Sequence, residues 1–432
     1  MMHSVICILL ALLLSLSTAA VAEEPEFIDY AAQLQLNMAS ETQKTEVTVK
    51  TFIDGDTTHF NVPVSVSETG VLKARYLAVN TPEVTGKIEE YGKKAAAFTR
   101  ERLTNAVSIL IESDTAAWEI DSTGERYLTW VWYKPEEGSE YRNLNLELLQ
   151  NGLCIASATA NNRYGAICSK ALSQARTLKL NVYSGQKDPD FYYGDAVELT
   201  LKELRTNLEA YNGIKVAFNG VITMNDANSV YMESLDEETG LYYGMSVYYG
   251  YGLSGEGMRI LSVGNEVRIV GTLQFYEAGG TWQVSGLSYR MMRPKDPGNI
   301  QKLSEGHSPS WVLTSPEQFT SQVSILVDDT AKAFDYAALT MATSVEMKAL
   351  TVKEVHTTTN EDSSSFGALT LICEGNGCTV HVRTLPFKDE NGSLITADRY
   401  AGHTVDVKGI VDYFDGHYQI KVFFPDHILL YD

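Results

Sequence analysis

The chain has 432 residues, of which 44% are hydrophobic and 21% are charged. This composition excludes a disordered chain, and the length predicts two to four domains with their own hydrophobic cores. The formal net charge of −21 excludes a broadly basic protein, so any phosphate binding would have to be local or assisted by a metal ion.

The first 22 residues have the features of a secretory signal peptide. An apolar run from Val5 to Leu16 precedes the small residues Ala20, Val21 and Ala22, which suit a cleavage site. The run is too short to span a bilayer. We therefore expect a secreted, extracellular protein exported in the bacterial manner, with no membrane span. Residues 23–44 show no strong period and are left unassigned.

Four cysteines remain after the predicted signal, at positions 154, 168, 373 and 378. An even number in an exported chain favours two disulfides, Cys154–Cys168 and Cys373–Cys378. The second would close a hairpin across a Gly-Asn-Gly turn. A zinc site is the alternative, although no histidine stands at ligand spacing near either pair.

Two polar turns, each preceded by an apolar, strand-like segment, dominate the first third of the chain. The first is Asp54-Gly55-Asp56-Thr57, and the second is Asn80-Thr81-Pro82-Glu83. If the two preceding strands pair side by side, the turns meet at one end of the sheet. The predicted metal ligands there are Asp56, Asn80 and Thr81, whose oxygen atoms suit Ca²⁺ or Mg²⁺.

Two charged residues flank this predicted ion site. Arg75 offers a planar fork of donors, and Glu83 offers a carboxylate next to the rigid Pro82. A metal, a guanidinium and a general base are the parts needed to hydrolyse a phosphodiester. The alternatives are that Asp56 forms an ordinary Asx-turn and that Glu83 is a solvated surface residue. Asp54 is assigned to the turn itself.

Hydrophobic periodicity predicts further elements around these turns. Strands are expected at residues 46–52, 61–66, 108–112 and 127–133, and helices at 87–105, 145–151 and 166–178. A small barrel packed with three helices fits this pattern.

The second half of the chain contains an internal repeat. Residues 263–271 and 280–284 resemble residues 401–409 and 416–420, each copy placing glycines around two strands. Such glycines permit the sharp bends that close a small barrel. We therefore expect two OB-like modules, at 196–298 and 316–432, opened by helices at 199–211 and 316–331.

Tyrosines are concentrated in the first of these modules, at positions 242, 243, 248, 249 and 251. On the face of a barrel such rings could stack nucleic-acid bases. The alternative is packing in the core and at strand edges, because the region carries few basic residues.

Five segments, in the same order, resemble the staphylococcal thermonuclease (SNase-like) family. They are D-G-D-T at 54–57, R-x-x-x-V-N-T-P-E at 75–83, Y-G-x-x-A at 91–95, D-x-x-G-E-R at 121–126 and L-N-x-x-L-x-x-x-G at 144–152. The resemblance implies an OB-like barrel with three helices at residues 45–187. With the two modules, the fold class is mainly β with α (α+β).

The resemblance also implies an activity, that of a Ca²⁺-dependent endonuclease acting on DNA or RNA and leaving a 3′-phosphate. It implies that Glu83 is the base that activates water, and that Arg75 and Arg126 clamp the phosphate. It further implies that Thr81 binds the ion through its backbone carbonyl. On this hypothesis the OB-like modules hold nucleic acid, or alternatively a protein ligand.

Three positions depart from the family pattern. Asn80 stands where the family usually has Asp, which removes a charge from the ion site. Glu125 is inserted before Arg126, so Arg126 could instead form a surface salt bridge with Glu125 or Asp121. Thr123 replaces a tyrosine that would offer a stacking surface. The alternative function is therefore a catalytically weakened nucleic-acid-binding or cell-surface interaction protein that retains the nuclease fold.

Overall fold

The structure is a computed structural model that describes residues 26–84, 86–157, 161–250, 253–277, 279–361 and 363–431. The predicted signal peptide and Tyr251 lie outside these residues. Among the helices of the described ranges, none combines the length and the apolar character needed to cross a membrane.

The first part of the chain forms a closed five-stranded barrel with helices packed around it. Its elements are α1 (Tyr30–Gln33), β1 (Lys44–Phe52), β2 (Thr57–Asn61), β3 (Val71–Tyr76), β4 (Val79–Asn80), α2 (Gly92–Thr104), β5 (Ser108–Glu112), β6 (Tyr127–Lys134), β7 (Arg142–Asn143), α3 (Leu144–Gln150), β8 (Ile155–Ala156) and α4 (Gly165–Thr177). The ring order is β1-β2-β3-β6-β5, closed by pairing of β5 with β1. Its core includes the fully buried Trp130, Trp132, Phe60 and Leu72.

The middle part of the chain forms a second barrel. Its elements are β9 (Val197–Glu198), α5 (Leu201–Thr206), β10 (Lys215–Asp226), β11 (Ser229–Asp236), β12 (Leu241–Tyr248), α6 (Glu256–Ile260), β13 (Glu266–Tyr276), β14 (Thr281–Ser285) and β15 (Gln301–Ser304). The ring order is β10-β11-β12-β14-β13, closed by pairing of β13 with β10.

The last part of the chain forms a third barrel. Its elements are β16 (Val312–Leu313), α7 (Pro316–Phe319), β17 (Gln322–Val327), β18 (Thr330–Asp335), α8 (Tyr336–Leu339), β19 (Ser344–Thr357), β20 (Leu369–Gly375), β21 (Cys378–Thr384), β22 (Thr404–Phe414), β23 (His417–Val422) and β24 (Ile428–Tyr431). The ring order β19-β20-β21-β23-β22 repeats that of the second barrel.

All three barrels therefore share one connectivity, in which the fifth ring strand lies between the third and the fourth. Short 3₁₀ turns at Asn181–Tyr183, Leu208–Tyr211, Ala397–Arg399 and Pro425–His427 complete the structure. The predicted fold class, mainly β with an SNase-type OB-like barrel and further barrels, is confirmed. The exact division at 45–187, 196–298 and 316–432 remains a proposal.

Several predicted elements are wrong in extent. The helix expected at 87–105 begins at Gly92, and the helix expected at 199–211 ends at Thr206 and is followed by a 3₁₀ turn. The helix expected at 316–331 stops at Phe319, and the chain continues into the β17–β18 hairpin, whose strands contain several β-branched residues. The strand expected at 61–66 ends at Asn61, because Pro63 opens a turn in which the Val66 N–H donates to the Pro63 carbonyl at 2.8 Å.

The two predicted disulfides are absent, and all four cysteines of the described residues are free thiols. In the β20–β21 hairpin Cys373 lies opposite Val380, while Cys378 lies opposite Gly375. The two thiols are thus offset diagonally, and diagonal neighbours lie about 7–8 Å apart, beyond the usual span of a disulfide. Cys154 and Cys168 are buried, and burial raises the pKa of the Cys168 thiol to about 12.

Candidate active site

The two polar turns lie against each other at one end of the first barrel. The backbone N–H of Thr81 donates to Oδ2 of Asp56 at 2.6 Å. Gly55 permits this approach, because a Cβ there would lie 2.8 Å from Cγ2 of Thr81. The hydroxyl of Thr99 on α2 fixes the first turn by donating to the Gly55 carbonyl at 2.6 Å.

Arg75, near the end of β3, connects the strand to both turns. Its Nη1 forms an ion pair with Oδ1 of Asp56 at 2.7 Å and donates to the carbonyl of Val79 at 3.1 Å. Its Nη2 donates to Oδ1 of Asn80 at 2.7 Å. Asp56 is only 3% exposed, so this guanidinium is the main compensation for a buried carboxylate.

Asp54 forms the first turn, as predicted, and it also interacts electrostatically with the carboxylates of Asp56 and Glu83. Its Oδ1 accepts the Asp56 N–H at 3.0 Å, so the Asx-turn belongs to Asp54 and leaves Asp56 free for the second turn. Burial and the neighbouring negative charges of Asp56 and Glu83 raise the pKa of Asp54 to about 7. The sequence shows both aspartates, but it does not show that Asp54 is half-buried beside the buried Asp56.

Glu83 lies in a loop that is held against the start of α2. The Glu83 N–H donates to the Glu89 carboxylate at 3.2 Å, and the Glu89 N–H donates to the Glu83 carbonyl at 3.0 Å. Gly92 is required here, because a Cβ would lie 2.5 Å from the Glu83 carbonyl oxygen. Partial burial of the carboxyl group and the negative charges of Asp56 and Glu89 raise the pKa of Glu83. The residue as a whole is exposed to solvent.

Arg126 forms the salt bridge that was considered as its alternative role. Its Nη2 and Nε lie 2.6 and 2.7 Å from Oδ2 of Asp121, while Glu125 pairs with Lys73 instead. Hydrogen bonds from Thr123 and Arg126 outweigh the effect of burial and lower the pKa of Asp121. Because its side chain is 34% exposed, Arg126 still presents donor atoms to the space around Glu83.

Asn145, in the L-N-x-x-L segment, has a structural role beside the site. Its side-chain oxygen accepts the Val131 N–H at 2.9 Å, and its amide donates to the carbonyls of Leu77 and Thr129 at 2.9 and 3.0 Å. Asn145 therefore ties α3 to β6 and to the segment between Arg75 and the second turn.

The predicted site residues open onto one cleft of about 1120 Å³ between the first and second barrels. Five of the six line it, namely Asp56, Arg75, Asn80, Glu83 and Arg126, while Thr81 is buried behind them. The opposite wall belongs largely to the second barrel and the segment before it. It includes Tyr248, one of the tyrosines noted in the sequence, and Lys215, which no local motif identified. Packing between distant parts of the chain brings this wall to the site.

The residues present fit a hard divalent cation. No three His, Cys, Asp or Glu side chains within the described ranges gather closely enough to hold a metal by themselves. Any ion would therefore also need the oxygens of Asn80 or Thr81. The Thr81 hydroxyl is buried without a hydrogen-bond partner, and the neighbouring carboxyl groups of Asp54, Asp56 and Glu83 repel one another. Oxygen donors with surplus negative charge are what Ca²⁺ prefers.

Comparison with known proteins identifies the same part of the chain. The sequence model of the family described as "Staphylococcal nuclease homologue" matches residues 73–185. The chain is similar to the thermonuclease of Staphylococcus hyicus, with 33% identity over 137 residues, which cover 31% of this chain and 72% of the relative. It is also similar to the thermonuclease of Staphylococcus intermedius, with 29% identity over 140 residues, covering 31% of this chain and 74% of the relative.

Proposed function

Because the chain belongs to the family of staphylococcal nuclease homologues, we propose that it is a nuclease, a phosphodiester hydrolase acting on DNA or RNA. The observation that carries this proposal is the convergence of Asp56, Arg75 and Glu83 on one cleft, with Arg126 at its edge. A carboxylate, a general base and cationic forks are the groups that phosphodiester hydrolysis needs.

In the proposed mechanism, Glu83 accepts a proton from the attacking water while the water oxygen bonds to phosphorus. The bond from phosphorus to the 5′ oxygen breaks, and the leaving 5′ oxygen takes up a proton from solvent. The position of Glu83 is suited to its role, because the residue is exposed to solvent while its backbone is held by Glu89 and Gly92. The raised pKa of its carboxyl brings it closer to the range in which a base works efficiently near neutral pH. Arg75 and Arg126 orient the phosphate and stabilise the charge that develops on its oxygens.

The proposed cofactor is Ca²⁺, held by Asp56, Asn80 and Thr81. When bound, it supplies charge neutralisation and polarises the phosphate. Asp56 and Asn80 both contact Arg75, so the ion and the guanidinium would share the same pair of side chains. Export of the enzyme and an endonucleolytic pattern belong to the same proposal, the former supported by the signal-like residues 1–22.

Two features favour a second candidate, a nucleic-acid-binding protein with weakened catalysis. The amide oxygen of Asn80 is already engaged by Arg75 and brings no charge, and Arg126 is paired with Asp121. Both features reduce what is available to an ion or a phosphate. A test of activity with and without the ion separates the two candidates.

We expect the purified chain to hydrolyse single-stranded DNA and RNA with Ca²⁺ and to stop when EGTA is added, because the buried carboxylates need the ion to approach a phosphate. Asp56→Asn should abolish this Ca²⁺-dependent hydrolysis, because a proposed ligand of the ion is lost. Asp329→Asn, in an exposed turn, should hydrolyse DNA as wild type does. The measurement is release of acid-soluble nucleotides. A folded protein with no hydrolysis at any Ca²⁺ concentration would favour the binding protein.

A further inference from the structure

A second cavity extends the catalytic cleft between the first two barrels. It has a volume of about 680 Å³ and shares Ile53, Lys93 and Tyr248 with the cleft. The two cavities therefore adjoin at these residues, and together they are here called the interbarrel groove. Together they exceed the roughly 300–1,000 Å³ that encloses a drug-sized ligand, so the groove has room for a longer chain molecule.

The groove lies between the ligand-binding faces of two OB-like barrels. In such barrels, ligands bind across the second and third ring strands and the loops that follow the first and fourth. In the first barrel those loops carry Asp56 and Arg126. In the second barrel Tyr248 ends the third ring strand, and Tyr276 ends the fourth. Both faces line the same groove.

Two lysines in the groove have no ionic partner among the described residues. Lys93 lies on α2 of the first barrel and Lys215 on β10 of the second, and both are half-buried. Lys93 is packed so closely on the second barrel that a Cβ at Gly213 would lie 1.8 Å from its Nζ. Neither lysine forms an ion pair with a carboxylate of the described residues, although Asp54, Glu83 and Asp190 also line the cleft. Both ammonium groups are therefore available to pair with a phosphate.

An exposed tyrosine lines each of the two cavities of the groove. Tyr193 and Tyr276 are each 39% exposed. Tyr193 is supported by Phe191, whose ring centroid lies 4.9 Å away with the two planes inclined at 63°, and by Lys187, whose Nζ lies 4.7 Å from the centroid of the tyrosine ring. In contrast, Tyr243 and Tyr249 are buried, so the packing alternative applies to them. Exposed aromatic platforms beside cationic groups are typical of single-strand binding.

Direct contacts hold the two walls of the groove together. Arg100 on α2 pairs with Glu277, and the side chain of Gln274 donates to the carbonyl of Val84, next to Glu83. The Tyr91 N–H donates to the carboxylate of Asp188 at 2.6 Å. These contacts connect the walls of the groove to each other and to the loop that carries the proposed base.

We infer that the interbarrel groove binds a single-stranded segment of nucleic acid adjoining the scissile phosphate. Lys93 and Lys215 contact its backbone phosphates, and Tyr193 and Tyr276 stack against its bases. The inference rests on the proposed nuclease function for the position of the scissile phosphate. Binding in the groove does not itself require cleavage, so the two can be tested separately.

The test measures binding of a fluorescent oligothymidylate of about twelve nucleotides in EGTA, by anisotropy over a series of salt concentrations. Lys215→Ala should weaken binding about tenfold at low salt and reduce the slope of log K against log salt by about 0.7, as expected for one lost phosphate contact on a single strand. Tyr276→Ala should weaken binding about tenfold through the loss of one stacked base.

Two control variants match these substitutions outside the groove. Lys408 is a half-buried strand lysine of the third barrel, without an ionic partner among the described residues, and Phe366 is 38% exposed there. Lys408→Ala and Phe366→Ala should bind as wild type. Equal binding by wild type and both groove variants, with unchanged thermal unfolding, would overturn the inference. Loss of cleavage with normal, groove-dependent binding would instead contradict only the proposed nuclease function.

Discussion

Replacing Glu83 with glutamine is expected to lower kcat/KM for single-stranded DNA by about 10²–10⁴-fold. The amide has the same shape and keeps the backbone contacts of Glu83 with Glu89, but it cannot accept a proton from water. The fold should therefore survive the change, and binding of substrate in EGTA should be nearly unchanged. Initial rates with Ca²⁺, together with circular dichroism, measure both effects.

The matched control for this change is Glu101→Gln, which removes one carboxylate from the exposed face of α2, where the side chain is 63% exposed. It should leave the rate within about twofold of wild type, because surface charges contribute little. A Glu83→Gln rate close to that of the control would show that another group acts as the base.

Replacing Arg75 with alanine is expected to reduce hydrolysis by about 10²–10³-fold, because a fixed donor to the phosphate is lost. It should also destabilise the protein by about 3–5 kcal/mol, because the buried carboxylate of Asp56 loses its ionic partner. Arg75→Lys should recover most of the stability and little of the rate, since an ammonium cannot contact Asp56 and Asn80 as a planar fork does.

Denaturant unfolding and initial rates at low temperature separate the two effects. Arg268→Ala is the matched control, because its side chain is also 15% exposed and pairs with the carboxylate of Glu198. Arg268 lies on β13 and does not line the cleft, so its loss should leave the rate unchanged. Equal losses of rate in the two variants would indicate that Arg75 acts only through stability.

The local chemistry of the site could be predicted because it depends on short segments. The strands that precede the turns at 54–57 and 80–83 were expected to pair side by side, which is wrong, because β2 lies between β1 and β3. The turns still meet, because the first turn leads into β2, whose start pairs with the end of β3 and brings Asp56 and Thr81 into contact. The sequence pattern could not predict which partner each carboxylate oxygen of Asp54 and Asp56 contacts. The Asx-turn formed by Asp54 and the ion pair between Arg75 and Asp56 depend on side-chain geometry that spacing does not encode.

Elements that depend on long-range packing were predicted less well. The helix expected at 316–331 is largely replaced by the β17–β18 hairpin, whose residues Ile325 and Val327 pack into the core of the second barrel. The predicted disulfides relied on a count of cysteines, whereas strand register decides whether two thiols can meet. The interbarrel groove depends on contacts such as that between Arg100 and Glu277, which no local segment indicates.

The central claim is that this cleft directs water onto a phosphodiester with the help of a divalent cation. The most direct measurement is cleavage of single-stranded DNA in oxygen-18 water with Ca²⁺, followed by mass spectrometry of the phosphate-bearing ends. The account predicts one heavy oxygen in each newly formed phosphate end, and no product when EGTA is present. Folded protein that yields no cleavage, or phosphate ends free of the heavy isotope, would contradict it.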